Sequence, residues 1–388
     1  LNYEKIQVNL NQVKNFLYHG YKNIFNSEVY YFKNVRKLKP AHNLIIEKKK
    51  KIILKCYWKP KYNPDFKLKK QDIIENSKYL LEESMRLRLR SDVPVAVTMS
   101  GGIDSSIIAA LTKKFGDNKV KTFSIIDKDS RYNETLLIKE NLKYLKLKSK
   151  LININTKDSF NILKEQITYS DSPVSTISNY INFLLLKSVK KDRFKVILSG
   201  NGADEIFSGY YHHFLFQLNQ LKQSNISEYH SHLSDWKKYI YPLIRNLYLK
   251  NLNLKYKKTN FENYRKIRNI MNFKINPNIN EKNFTKDQLR NTMLNEVFFK
   301  TLPVSLHHED LNSMYYSIEN RSPYLDKNLF EFMYTVPTKY LIMNGYQKYI
   351  LRELSKNCIP DKVRINRRKY GFNASINSIF DLKKNHLQ

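Results

Sequence analysis

The chain has 388 residues and carries 68 Lys and Arg against 35 Asp and Glu, a formal net charge of +33. Its 41% hydrophobic and 13% aromatic content is enough to close at least one large core, which excludes a disordered chain. The lysines are spread along the sequence instead of gathering on one face or tail, so the charge points to compositional bias and no nucleic-acid partner is expected.

In chain order, residues 1–70 are mixed and end in a predicted hairpin, Asn43–Ile46 and Ile52–Leu54, joined by the solvated turn Glu47-Lys48-Lys49-Lys50-Lys51. From residue 71 onward strands and helices alternate. An amphipathic helix from Ile73 to Leu89 leads into a buried strand, Val93–Met99, and then a helix from Asp104 to Lys114. A strand at Val120–Ile126, a helix from Asn133 to Leu145 and a strand at Lys150–Ile154 follow. Helices cover Ser159–Ile167 and Tyr180–Lys190, and a strand runs Phe194–Ser199. Such alternation requires crossover connections, hence an α/β fold with a parallel sheet and helices on both faces. Residues 211–388 are predicted to be mostly helical, without strand alternation or repeats, and segment 221–290 is rich in Lys and Asn.

No run approaches the ~20 apolar residues of a spanning helix, and Leu1-Asn2-Tyr3-Glu4-Lys5 lacks a secretory pattern, so no membrane partner is expected. The two cysteines, Cys56 and Cys358, lie far apart and outside any Cys/His cluster, which excludes a disulfide framework and a structural zinc site. A reducing, cytoplasmic setting is expected. Cys56 sits in a strand-like segment and is expected to be a small buried apolar residue. The pairs His212-His213 and His307-His308 are assigned no role, because neighbours on a helix diverge by ~100° and seldom share a metal.

Glycine is the tracer for function. Of nine glycines, five fall in two short windows, Gly101-Gly102 and Gly200, Gly202, Gly209, each directly after a predicted strand. A glycine-poor chain keeps the residue where backbone turns sharply or approaches a ligand, and in an open parallel sheet ligands bind at the carboxyl ends of strands. Both loops should face one crevice. The first window, Ser100-Gly101-Gly102-Ile103-Asp104-Ser105-Ser106, offers turned N–H groups, a helix N-terminus and three hydroxyls, an anion cradle suited to phosphates. It is not a Walker A loop, since no Gly-Lys-Ser/Thr follows. Asp104 would repel a bare phosphate, so it is expected to hold Mg²⁺ bridging the phosphates. The second window, Leu198 to Tyr210, is a strand-to-helix turn with Asp204 and Glu205 at its lip.

Ser-Gly-Gly-x-Asp-Ser resembles the pyrophosphate-binding (PP) loop of the ATP pyrophosphatase group, and Ser199-Gly200-Asn201-Gly202-Ala203-Asp204-Glu205-Ile206-Phe207-Ser208-Gly209-Tyr210 resembles the Ser-Gly-Glu-Gly-Ala-Asp-Glu-x-Phe-x-Gly-Tyr signature of asparagine synthetases. Ser313-Met314 with Glu319-Asn320-Arg321-Ser322-Pro323-Tyr324-Leu325-Asp326 is similar to another segment of that family, as are Lys348-Tyr349-Ile350-Leu351-Arg352, Ile359-Pro360 and Arg368-Lys369-Tyr370-Gly371-Phe372.

The resemblance implies a five-stranded-type parallel sheet of the adenine nucleotide α-hydrolase kind, followed by a mostly helical region. It implies a synthetase domain over 71–388 and, over 1–70, the remnant of an N-terminal glutaminase domain with its linker. It further implies that Ser100, Gly101, Gly102, Asp104, Ser105 and Ser106 hold the pyrophosphate of ATP, with Ile125, Ser199 and Gly200 bordering the AMP moiety. Asp104 and Asp204 would be the Mg²⁺ carboxylates, and Lys348, Lys369 and Asp204 the catalytic groups. Asn201, Gly202, Asp204, Glu319 and Arg321 would contact a carboxylate substrate, aspartate in the family. The implied reaction is adenylation with loss of pyrophosphate, then displacement of AMP by ammonia to give asparagine.

Two departures qualify the resemblance. Asn201 replaces the signature Glu, and an amide neither takes a proton as a carboxylate does nor pairs fully with a substrate ammonium. This leaves open an amidotransferase or amide-bond cyclase acting on a different carboxylate; from another class, a tRNA-modifying adenylating enzyme shares the first loop but not the second. Leu311 also stands where relatives carry Arg, beside a retained Asp310. Residue 1 is Leu and not the nucleophilic Cys of the glutaminase domain, so ammonia is expected to come from glutamine through a domain this chain lacks by truncation. Composition leaves the oligomeric state open, a homodimer included.

Overall fold

The computed structural model describes residues 6–21, 28–48, 51–59, 61–116, 120–252 and 281–380. Leu1, Lys49 and Lys50 of the basic turn, and 253–280 of the Lys- and Asn-rich segment, lie outside the described residues.

Helix α1 (Leu10–His19) precedes an antiparallel hairpin, β1 (His42–Ile46) and β2 (Ile52–Cys56), paired from His42 with Cys56 to Ile46 with Ile52. Both faces of this ribbon are open: Ile46 is 66% and Ile52 64% exposed. Cys56, expected to be buried, is therefore exposed at the end of β2, its Sγ donating to the Trp58 carbonyl.

Helix α2 (Lys70–Arg88) opens the alternating region, which continues through β3 (Val95–Thr98), α3 (Ile103–Phe115), β4 (Lys121–Ile126), α4 (Thr135–Leu145) and β5 (Lys148–Asn153). Helices α5 (Ser159–Ser170) and α6 (Ile177–Lys191) lead to β6 (Val196–Leu198) and the short α7 (Ala203–Phe207). The later helices used below are α8 (Tyr211–Ser224), α9 (Ile226–Asp235), α10 (Gln288–Phe298) and α11 (Thr301–Tyr315). Strand β7 (Glu319–Arg321), α12 (Lys327–Met333) and α13 (Tyr349–Leu354) complete the frame.

The sheet is parallel and five-stranded, in the order β5-β4-β3-β6-β7. Alternate side chains of one strand enter opposite cores: Val95, Val97, Val196 and Leu198 join the large cluster with α2 and α3, whereas Ala96, Phe123 and Ile197 join Phe183, Leu186 and Val189 of α6. Burial on both faces is what lets near-continuous apolar runs serve as parallel strands. Each fully buried Ile, Leu or Phe contributes roughly 1.5–3 kcal/mol of transfer free energy.

The fifth strand comes from the region expected to lack strands. Glu319, Asn320 and Arg321 pair with Val196, Ile197 and Leu198. Three polar residues at a sheet edge carry no hydrophobic period, and their pairing rests on backbone hydrogen bonds alone. The chain direction splits around β3, with β4 on one side and β6 on the other. A topological switch point therefore lies between β3 and β6, and both glycine windows leave the sheet there.

Candidate active site

Gly102 caps α3 in an extended conformation without any side-chain cap, which leaves the first-turn N–H groups of a 13-residue helix facing the crevice. The serines hold the turn from inside. Ser100 Oγ lies 2.9 Å from Ser105 Oγ, the Ser100 N–H donates to Ser105 Oγ at 3.0 Å, and the Gly102 N–H donates to Ser100 Oγ at 3.1 Å. Ser106 points elsewhere: it is fully buried, donates to the Gly102 carbonyl and accepts from Asn141 of α4. Its role is to hold the loop's underside.

The second loop packs onto the first. A Cβ at Gly200 would lie 3.2 Å from Asp104 Cβ. Gly202 adopts φ +89, and a Cβ there would sit 2.2 Å from Leu325, so both conformation and space require glycine. The turn brings Asp204 opposite Asp104. Lys348, itself left-handed at φ 53 as the N-cap of α13, lies between them, its Nζ 2.5 Å from Asp104 Oδ2 and 2.7 Å from Asp204 Oδ1. Lys369 Nζ is 3.1 Å from Asp204 Oδ2 and 3.6 Å above the Tyr210 ring. A Cβ on Gly209 would fall 1.8 Å from Asp204 Oδ1 and 2.2 Å from Lys348 Cε. The cluster thus closes only because residue 209 has no side chain.

Burial works against every charge here. It raises the Asp104 carboxyl, helped by the neighbouring Asp204 charge and opposed by Lys348. For Asp204, burial is outweighed by Lys348 and Lys369, which hold it well below the usual carboxylate range. Lys348 is kept charged by the two aspartates despite burial. Burial lowers Lys369. Asp104 Oδ1 is buried without a hydrogen-bond partner, and with Asp204 it forms the hard oxygen set that a divalent cation takes.

Beside the cluster lies a cavity of about 120 Å³ bounded by Ser100, Asp104, Ser199, Asn201 and Glu309. Ser199 Oγ is 3.3 Å from Ser322 Oγ. Glu309, on α11, accepts from Asn320 Nδ2 at 2.6 Å; burial raises its carboxyl, tempered by the Asn201 and Asn320 amides and the Ser199 hydroxyl. Sequence reasoning passed over this acid, although it directly precedes the Asp310-Leu311 pair.

Three expected contact residues do not line this cavity. Ile125 is half-buried between two apolar cores. Glu319 pairs with Arg321, and Arg321 Nη1 donates to the carbonyls of Arg88 and Arg90 at the end of α2. Those two side chains leave the sheet on the face away from Asn320 and Glu309.

His212 and His213, assigned no role, converge on one residue. Their Nε2 atoms lie 2.6 and 2.8 Å from the two carboxylate oxygens of Glu296 on α10. The ~100° divergence between neighbours is absorbed because the carboxylate offers a separate oxygen to each ring. On its other side His213 Nδ1 lies 3.1 Å from the Ser208 hydroxyl and 3.4 Å from the Tyr210 backbone nitrogen. The trio is a buried strut between α8 and α10, one nitrogen of each ring and a carboxylate oxygen lying within 4.8 Å of one another. His308 is buried against Ser175, its pKa lowered to about 4 by burial.

The asparagine synthase family model matches residues 76–387. Asparagine synthetase [glutamine-hydrolyzing] 1 of Bacillus subtilis is 26% identical over 366 residues, covering 88% of this chain and 56% of that protein. A putative asparagine synthetase 2 of Methanocaldococcus jannaschii is 35% identical over 185 residues, 47% of this chain and 35% of that protein. Amidase chyE of Penicillium rubens is 28% identical over 199 residues, covering 46% and 29%. The chain spans about half the length of the first of these relatives or less. No helix among the described residues is long and apolar enough to cross a membrane. With two glycine loops meeting at the switch point of a parallel sheet and a family match over four-fifths of its length, this chain belongs to the asparagine synthase family.

Proposed function

We propose that the chain is the synthetase part of an ATP-dependent amide-forming ligase. The observation that carries this reading is the Asp104–Lys348–Asp204–Lys369 cluster at the junction of the two loops. ATP lies with its β- and γ-phosphates against Gly102 and the α3 N-terminus, and its α-phosphate beside Lys369. Asp104 and Asp204 would hold Mg²⁺, which when bound neutralises charge on the phosphates. A carboxylate oxygen of the substrate attacks the α-phosphorus, the bond to the β-phosphate oxygen breaks, and pyrophosphate leaves. Positioning and charge neutralisation supply most of the acceleration in such transfers. Lys348 and Lys369 supply that charge from a site where burial strengthens it. Ammonia then attacks the acyl carbon, the bond to AMP breaks, the nitrogen releases one proton to water, and the amide and AMP leave.

The acceptor carboxylate sits in the cavity between Asn201 and Glu309. Aspartate is the family substrate and the first candidate. Asn201 favours a second reading in the same fold, a different carboxylate, since the carboxylate facing the acceptor comes from Glu309 and not from position 201. That a similar protein is called an amidase is consistent with varied acceptors on this frame. Residues 1–70 we assign to an accessory, glutaminase-type domain; the open hairpin, apolar on both faces, supports this.

Pyrophosphate exchange into ATP, screened over aspartate, glutamate and other carboxylates with free ammonia absent, tests the reading. Exchange with one carboxylate is expected; none with any would overturn it. If aspartate is a poor acceptor, Asn201→Glu should improve it, and an unchanged preference would remove Asn201 as the determinant.

A further inference from the structure

We infer that Tyr211 is a positioning residue for Lys369: its hydroxyl oxygen accepts the Lys369 backbone N–H and pins the strap of residues 367–374 to the second glycine loop. The inference rests on the ligase reading for its purpose and on hydrogen-bond geometry for its substance. The Lys369 N–H donates to Tyr211 Oη at 2.8 Å. Tyr211 is the first residue of α8, directly after the Gly209-Tyr210 end of the loop that carries Asp204. Two consecutive tyrosines thus hold Lys369 at both ends, Tyr210 beneath the ammonium and Tyr211 on the main chain. Burial raises the Tyr211 phenol, with the Lys369 N–H pulling it back, so the oxygen stays a neutral acceptor.

One bond matters here because the strap has few. No backbone amide or carbonyl from Arg367 to Ala374 meets a backbone partner among the described residues. Side chains hold the amides instead. Asn366 Oδ1 accepts from the Arg368 N–H and Asn373 Oδ1 from the Ala374 N–H, each at 2.9 Å, but both belong to the same stretch of chain. Main-chain anchors from the rest of the fold lie at either end. Tyr211 takes the Lys369 N–H, and Asp127, directly after β4, takes the Ser375 N–H on Oδ2 at 2.6 Å. Gly371 stands between them in open space, where an added Cβ would meet nothing within 4 Å. A free glycine passes little restraint along the backbone, so the Asp127 anchor cannot stand in for the one at Lys369.

The strap is a shared wall: Tyr370 borders both the phosphate cleft and the acceptor cavity, and Gly371 and Phe372 border the cavity. Lys369 meets the charge that develops at the α-phosphorus in the proposed reaction, so its main chain must keep its place as nucleotide enters and pyrophosphate leaves. The ion pair to Asp204 cannot secure this alone. Lysine carries its charge on a flexible four-carbon stem, and Asp204 is shared with Lys348. The Tyr211 bond fixes the root of that stem to the same loop that carries Asp204. The phosphate loop keeps its own bonds through Ser100 and Ser105, none of which involves Tyr211.

The test is amide hydrogen exchange on the nucleotide-free chain, resolved by residue and corrected for intrinsic rates, together with pyrophosphate-exchange kinetics. In the wild-type chain the Lys369 amide should be protected relative to that of Tyr370, which has no hydrogen-bond partner among the described residues. Tyr211→Phe removes only the hydroxyl. It should speed exchange at Lys369 by roughly 2- to 10-fold, while Ser375, held by Asp127, keeps its wild-type rate. In turnover it should lower kcat by about 10- to 100-fold, the scale of a ~1 Å misplacement, with KM for ATP within about threefold. An unchanged Lys369 rate in Tyr211→Phe, or a rise in KM without a fall in kcat, would overturn the inference. If Tyr211→Phe fails to fold, the two neighbouring amides of the wild-type chain decide: protection confined to Lys369 supports the tether, and equal rates at Lys369 and Tyr370 overturn it. Amide exchange needs no nucleotide, so a wild-type chain inactive with every carboxylate sinks the ligase reading while the exchange pattern still decides the tether.

Discussion

Lys348 is held at 2.5 and 2.7 Å from two carboxylates in a left-handed backbone conformation that costs of order 1–3 kcal/mol. Such strain persists only where the surroundings over-determine it, and here Gly209 leaves the space for the Lys348 stem. Lys348→Ala removes the cation between Asp104 and Asp204 and should lower pyrophosphate exchange by about 10²–10³-fold, the scale of losing one preorganised donor. Arg should not rescue it, because its planar fork is wider than the gap beside Gly209; a Lys348→Arg variant exchanging within threefold of wild type (about 0.6 kcal/mol) would remove the role. Glu205 makes a different prediction. Burial beside Asp204 pushes its carboxyl from 4.5 up to about 7, opposed by the hydrogen bond from Tyr210. The folded chain then holds a proton that the unfolded chain has lost, so this contribution to stability is full below 4.5 and fades as pH rises through about 7. Glu205→Gln should flatten that part of the stability–pH curve in urea unfolding, and an unchanged slope would sink the assignment. At this scale the glycines and Asp104 were legible because a strand preceded them, whereas Glu309 was not. Its significance lies in the cavity it faces, and a helix face in sequence looks alike whatever it faces.

Helices α7, α8 and α10 place the second loop, and one buried strut joins them. Glu296 is 1% exposed and faces both His212 and His213, and that pairing holds its carboxyl well below the usual range against burial. Removing one partner of a buried pair costs roughly 3–5 kcal/mol because the other is left uncompensated. Glu296→Ala should therefore lower the urea midpoint strongly, while a chelator leaves the wild-type midpoint unchanged; a chelator-sensitive midpoint would make the trio a metal site after all. The pairing of adjacent histidines was invisible in sequence because their partner is 84 and 83 residues away on another helix. Strand β7 was hidden for the opposite reason. Its partner β6 was found, but Glu-Asn-Arg has no apolar alternation, and an edge strand needs only a parallel neighbour with free backbone groups. The longer elements, α2 to β6, were found with ends within a few residues, because two-sided burial stamps a continuous apolar run onto each central strand.

For the molecule as a whole, the sheet order β5-β4-β3-β6-β7 decides where chemistry can occur, since only at the β3–β6 junction do two loops diverge to opposite sides. That much followed from counting strands and glycines. The charge did not localise itself in the same way, because 68 basic residues spread over 388 positions give no patch until the chain is folded. Folding brings Lys348, Arg352, Arg367, Arg368 and Lys369 to one wall of the phosphate cleft, where Asp104 and Asp204 pair with only the two lysines. A polyanionic nucleotide therefore meets a cationic cleft on a molecule of net charge +33, the arrangement that focuses a field and raises encounter rates by 10–10³-fold (an order-of-magnitude range). Salt shortens the Debye length from ~10 Å at about 0.1 M to ~3 Å at about 1 M, which screens the long-range pull but not the buried ion pairs. KM for ATP should accordingly rise on the order of tenfold between about 50 and about 500 mM NaCl, with kcat nearly constant. Sucrose at equal osmolality should leave KM where it was. A KM indifferent to salt would mean that the excess charge lies away from the nucleotide's approach, and a kcat that falls with salt would place the screened charges at the reacting atoms instead.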